Sequence, residues 1–129
     1  MVVGVCRITF GLPGNDSLKG KRRVVRRVVD RTRHAFNAAV AEVGYLDEHR
    51  RALIGFAVVS NDGRHANSML DKISSFASTL TEAVVLDRSI ELLHVGQDEA
   101  RLVGGTYDAD HNAGDFDDDG DADDEEPAQ

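Results

Sequence analysis

Met1-Val2-Val3-Gly4-Val5-Cys6-Arg7-Ile8-Thr9-Phe10 is followed by Gly11-Leu12-Pro13-Gly14-Asn15-Asp16 and then by Ser17-Leu18-Lys19-Gly20-Lys21-Arg22-Arg23-Val24-Val25. The first stretch alternates, with Val2, Gly4, Cys6, Ile8 and Phe10 on one side and Val3, Val5, Arg7 and Thr9 on the other, which is the period of a half-buried strand. The second is dense in turn formers. Ser17 is placed to accept a hydrogen bond from the free amides of a helix beginning near Leu18. At about 100° per residue, Leu18, Val25, Val28, Val29, Thr32 and Phe36 fall on one side of that helix. Lys19, Arg23, Arg26, Arg27, Asp30 and Arg33 face outward, and Lys21 and Arg22 flank the apolar stripe, where either serves packing. Gly20 in the first turn weakens the helix by about 1 kcal/mol relative to Ala, so packing against the strand must hold it.

Beyond this unit, Ala38 to Val43 reads as a short strand, Gly44 to Glu48 as its connection, and Arg50 to Ser60 as a longer strand, apolar on both faces at its centre. Asn61 or Asp62 caps a second helix, in which Met69, Leu70, Ile73, Phe76, Ala77 and Leu80 recur at helical spacing to about Thr81. Ala83 to Val95 alternates again, with Val84, Leu86, Ile90 and Leu92 opposed to Asp87, Ser89 and Glu91, and with Arg88 interrupting the apolar side. The order β-α-β-β-α-β predicts an α+β fold, the ferredoxin-like plait: a four-stranded antiparallel sheet with two helices on one face. The opposite face would carry Val3, Val5 and Val43. A second copy of the chain is the expected cover, giving a homodimer through the open sheet face.

The chain has 129 residues and a formal net charge of −8. That charge is unevenly placed: Met1 to Arg101 holds 15 basic and 12 acidic residues, a net of +3, whereas Leu102 to Gln129 holds no base and 11 acids. Residues 1–95 are read as one domain and residues 96–129 as a disordered acidic tail, too poor in apolar side chains to offset the entropy of ordering. The run Ala52 to Val59 falls far short of the roughly 20 residues of a membrane-spanning helix. With no signal-peptide pattern at the N-terminus, a cytoplasmic protein without membrane contact is expected. A single cysteine, Cys6, excludes an internal disulfide.

The opening Met1-Val2-Val3-Gly4-Val5, the turn Leu12-Pro13-Gly14, the segment Ser17 to Val25, Ala41-Glu42-Val43 and Val58-Val59-Ser60-Asn61-Asp62 together resemble the YlxP-like family of small bacterial proteins, a domain of unknown function. The resemblance covers Met1 to Leu93 and leaves the tail outside. It implies a ferredoxin-like fold and, because family members are often encoded beside a translation initiation factor and a ribosome-binding factor, a role near the ribosome. It implies no activity. Gly20 departs from the Glu common in the family, leaving the capping box of Ser17 incomplete.

Lys19 to Arg33 holds eight basic residues and one acid in fifteen positions. Guanidinium groups on one helix face suit a phosphate backbone, since each donates paired hydrogen bonds and releases condensed counterions. Lys19, Arg23, Arg26, Arg27, Arg31 and Arg33 are therefore the candidate nucleic-acid-binding residues, with ribosomal RNA or a ribosome-associated protein as the expected partner. A solvated helix face would show the same pattern. The alternative function is a homodimeric interaction or regulatory module whose basic helix docks an acidic protein. Ile54-Gly55-Phe56-Ala57-Val58-Val59 partly matches the aromatic strand motif of RNA-recognition domains, but Ile54 and Val58 replace its base and second aromatic, so Phe56 is expected in the interior or under a dimer.

Asp115 to Glu126 satisfies calcium-loop spacing, with Gly120 at the sixth place, yet an Asp-rich tract does so by composition and no helix-forming segment flanks it, so no metal is expected. His34, His49, His65, His94 and His111 are scattered, and no nucleophile elbow or phosphate loop occurs, so neither catalysis nor a cofactor is expected. The tethered carboxylates have one further expected use, competing with phosphate for the basic helix. Deleting residues 97–129 should then tighten RNA binding at low salt, as read by fluorescence anisotropy; unchanged affinity would remove the idea.

Overall fold

The computed structural model describes residues 1–96. Strand β1 (Val2–Gly11) leads into helix α1 (Leu18–Ala35), then β2 (Ala39–Gly44), β3 (Arg51–Ser60), helix α2 (Gly63–Ser78) and β4 (Val84–His94). The strands form a single antiparallel sheet in the order β2-β3-β1-β4, the ferredoxin-like plait that the element order predicts. The tail from residue 97 onward, with its calcium-loop pattern, lies outside the described residues. Among the described residues no helix is long and apolar enough to cross a membrane.

Alternation along β1 decides the layering. Val2, Cys6, Ile8 and Phe10 point into the core, as do Ala52, Ile54, Phe56 and Val58 of β3, which lie opposite Phe10, Ile8, Cys6 and Gly4 respectively. Helix α1 lays Val25, Val28 and Thr32 on this surface, and α2 adds Ala66, Leu70, Ile73 and Ala77. Burying each large aliphatic side chain here contributes about 1.5–3 kcal/mol. Gly4 makes the approach of α2 possible: a Cβ there would stand 2.9 Å from Leu70 Cδ1. Phe36 and Phe76 meet edge to face at 5.3 Å, joining the two helices.

Both helix starts use the predicted caps. Ser17 Oγ accepts from Gly20 N at 3.0 Å, and Asp62, rather than Asn61, caps α2 by accepting from Arg64 N at 3.2 Å. Helix α2 stops at Ser78, short of the expected Thr81, where the Thr79 hydroxyl donates to the Phe76 carbonyl and ends the helical ladder. Leu80 therefore falls beyond the helix.

The larger correction concerns β4. A bulge between Thr9 and Phe10 in the pairing with β1 skips Leu86 and pairs Phe10 with Val85. Alternation is broken there, because an extra residue in one strand shifts the side-chain phase. Ile90 and Leu92 face the helices as expected, but Val84 and Leu86 are exposed, and Leu86 lies over Gly11. Arg88 does sit on the helix side, where it hydrogen-bonds Ser74 and pairs with Asp71 on α2.

Candidate nucleic-acid interface

Helix α1 is amphipathic by construction: its buried positions 21, 25, 28 and 32 follow the i, i+4, i+7, i+11 pattern of one face. The remaining positions are free to carry charge. Lys19, Arg23, Arg26, Arg27, Arg31 and Arg33 are all exposed, and they are strung along about 21 Å of helix at 1.5 Å per residue. Arg22 is exposed as well.

Asp30 is the one acid on the same helix, exposed at i+4 from Arg26 and i+3 from Arg27, and it forms no ion pair with the row among the described residues. The ion pairs there are Lys21 with Glu42, Arg51 with Glu48 and Arg88 with Asp71, and none involves the six candidate side chains. Arg27 alone is tethered, its Nε donating to the Leu80 carbonyl at 2.8 Å just past the end of α2; that bond fixes the side chain and leaves its charge unpaired. The arrangement opposes helix stability. Lys19 with Arg23, Arg22 with Arg26, Arg23 with Arg27 and Arg27 with Arg31 stand at i, i+4, where like charges cost about 0.2–0.5 kcal/mol each. The first turn of α1 holds no acid to complement the helix dipole.

Lys21 behaves differently from its neighbours. It is in phase with the buried stripe and only 2% exposed. Its ammonium donates to the carbonyls of Tyr45 at 2.6 Å, Glu48 at 2.6 Å and Arg51 at 3.1 Å. Glu42 Oε2 lies 2.9 Å away as an ion pair without an aligned hydrogen bond, the three protons having gone to the carbonyls. Tyr45 holds a left-handed backbone, φ 55°, which is unfavourable for a side chain with a Cβ; its carbonyl is fixed by Lys21 and its ring lies 4.3 Å from Arg51 Cζ. Arg51 also forms a two-pronged bond to Glu48, which holds that carboxyl below its ordinary range. Asn15 ties in the other side, donating to the carbonyls of Ser17 and His49. Its side chain occupies the space a Cβ on Gly20 would need, so glycine at this position and the asparagine bridge go together.

Lys21 thus anchors the β2–β3 connection and is withdrawn from any surface role, whereas Arg22 remains exposed. The sequence signal for this was the position of Lys21 flanking the apolar stripe, which it shares with Arg22. Phe56 is 1% exposed and points at the helices, away from the open sheet face, so it offers no ring to a base. Among the described residues no group of three or more His, Cys, Asp or Glu side chains is placed to hold a metal.

The uncharacterized protein YlxP of Bacillus subtilis (strain 168) is 33% identical over 66 residues, covering 51% of this chain and 72% of that protein. Among solved structures, the de novo designed protein Foldit4 aligns with a TM-score of 0.41 at 12% identity, covering 72% of this chain and 96% of the design. Residues 3–90 match the profile of a protein family of unknown function, DUF503, and the chain belongs to that family.

Proposed function

We propose that the chain binds structured RNA, ribosomal RNA in the first place, through the exposed face of α1. One observation carries the reading: six cationic side chains stand in a row, unpaired by any described acid, on a helix that is less stable for having them. A polyanion relieves that repulsion. The deep, narrow major groove of A-form RNA does not admit a helix, so the contact would be to phosphates, with affinity set by charge and little base preference. Nothing in this reading requires a catalytic step.

The test is salt-dependent binding of the purified full chain to a fluorescent ribosomal RNA fragment. Six phosphate contacts at roughly 0.7–0.9 per contact give a log K against log salt slope of about −4 to −5. Changing Arg23, Arg26 and Arg27 to Glu should weaken binding uniformly across RNA sequences and reduce the slope by about 3. Tagged protein carrying the same changes should cease to pull down ribosomal subunits. Protein that purifies with a clean 260 to 280 nm absorbance ratio at low salt and ignores added RNA would sink the reading, and would favour an acidic protein as the partner of the same helix face.

A further inference from the structure

Among the described residues, helices cover one face of the sheet and nothing covers the other. Its β2–β3 half is built from the small residues Ala39, Ala41, Gly55 and Ala57, which floor an almost wholly apolar depression of about 420 Å³. Beside it the surface rises, with Val59 63% and Val43 53% exposed. Charge sits across the middle of this face in one arrangement: Arg7 on β1, and on β4 Asp87 and Glu91, which lie opposite Thr9 and Val5, the neighbours of Arg7 on its own face. Each carboxylate is therefore diagonal to Arg7. Arg7 nevertheless makes no hydrogen bond or ion pair with any described residue.

We propose that this face is the interface of a homodimer in which Arg7 of each copy pairs with Asp87 or Glu91 of the other. An unpaired cation beside an apolar floor, with two unpaired anions one strand away, is a surface complementary to itself under a two-fold rotation. Diagonal neighbours on a sheet stand about 7–8 Å apart, and stacked sheets about 10 Å, so an arginine side chain spans the offset to a carboxylate of the opposing copy. The area suffices: strands of 10, 6, 10 and 11 residues, about 4.8 Å apart with a rise of about 3.3 Å per residue, give a face of roughly 590 Å², or roughly 1,200 Å² over both copies, at the lower bound of stable interfaces. The hollow of one copy receives the raised valines of the other. Helix α1 lies on the far side of the sheet, so this assembly does not depend on RNA binding.

Sedimentation of two charge-reversed full-length variants tests it, one with Arg7→Glu and one with Asp87→Arg and Glu91→Arg. The unaltered chain should sediment at twice its 14.0 kDa at micromolar concentration. Each variant should associate at least about 100-fold more weakly, because like charges then face each other across the interface. Mixed in equal amounts they should form a heterodimer, since every Arg7 position then meets the opposite sign. All three positions are exposed, so unchanged circular dichroism will show that the variants fold. Three results would overturn the proposal: an unaltered chain that stays monomeric at 100 µM, a dimer indifferent to both variants, or a mixture that remains monomeric.

Discussion

Lys21→Met is expected to lower the unfolding free energy by about 3–5 kcal/mol, the usual cost of removing one partner from a buried ion pair. The size of the effect follows from what the ammonium does. Among the described residues it supplies the only side-chain hydrogen bonds to the carbonyls of Tyr45 and Glu48 in the β2–β3 connection and of Arg51 at the start of β3, and it compensates Glu42. Methionine keeps the apolar stem and removes the donor, leaving polar groups without partners at about 1–3 kcal/mol for each that water does not reach. Urea denaturation of the full chain measures the loss. Changing Glu42 to Leu in the same chain should recover part of it, because the anion is then no longer left behind; additive losses in the double variant would show that the two side chains are not coupled. A loss under about 1 kcal/mol for Lys21→Met would mean that water serves the loop as well as the ammonium does.

Phe56→Ala is the second large change. Phe56 sits on the central part of β3, fully enclosed, opposite Cys6 of β1 and Val40 of β2. Truncation removes the ring from between sheet and helices, at about 3–5 kcal/mol for a residue of this kind. Thermal and denaturant unfolding will both report it. RNA affinity per folded molecule should stay unchanged, since the ring faces away from any surface a base could reach. Reduced affinity with intact folding would instead reinstate a stacking role for this strand.

The parts of the fold that the sequence discloses are those where one period runs unbroken. In β1 five alternating residues mark the core face, and β1 is paired on both sides, so its reading carries over to β3 and β4. The cap Ser17, and a second cap at Asn61 or Asp62, are legible because a short polar side chain before an apolar repeat has few other uses; the choice of Asp62 comes from the structure. What stayed hidden depended on contacts distant in sequence. The bulge opposite Thr9 moves Leu86 off the core face, and nothing within Ala83 to Val95 announces it, since it arises in the pairing of two strands. Lys21 was readable only as a stripe-flanking residue; its burial needs the carbonyls of residues 45, 48 and 51 to converge, which depends on how the hairpin connection folds back. The exposure of the arginine row follows directly from helix phase, whereas the absence of ion pairs to it among the described residues had to come from the structure.

Cys6 has a practical consequence. It is the sole thiol of the chain, lies in a strand bonded on both edges, and has no exposed surface. Burial pushes its ionisation upward, with Arg88 opposing and Asp71 adding to that effect. A water-borne alkylating reagent therefore reaches the sulfur only when the helix layer lifts from the sheet or the strands part, so the labelling rate acts as a stopwatch for opening of the core. A stretch of chain that breathes locally elsewhere leaves no mark on it, and the protein carries its own internal reporter of cooperative opening.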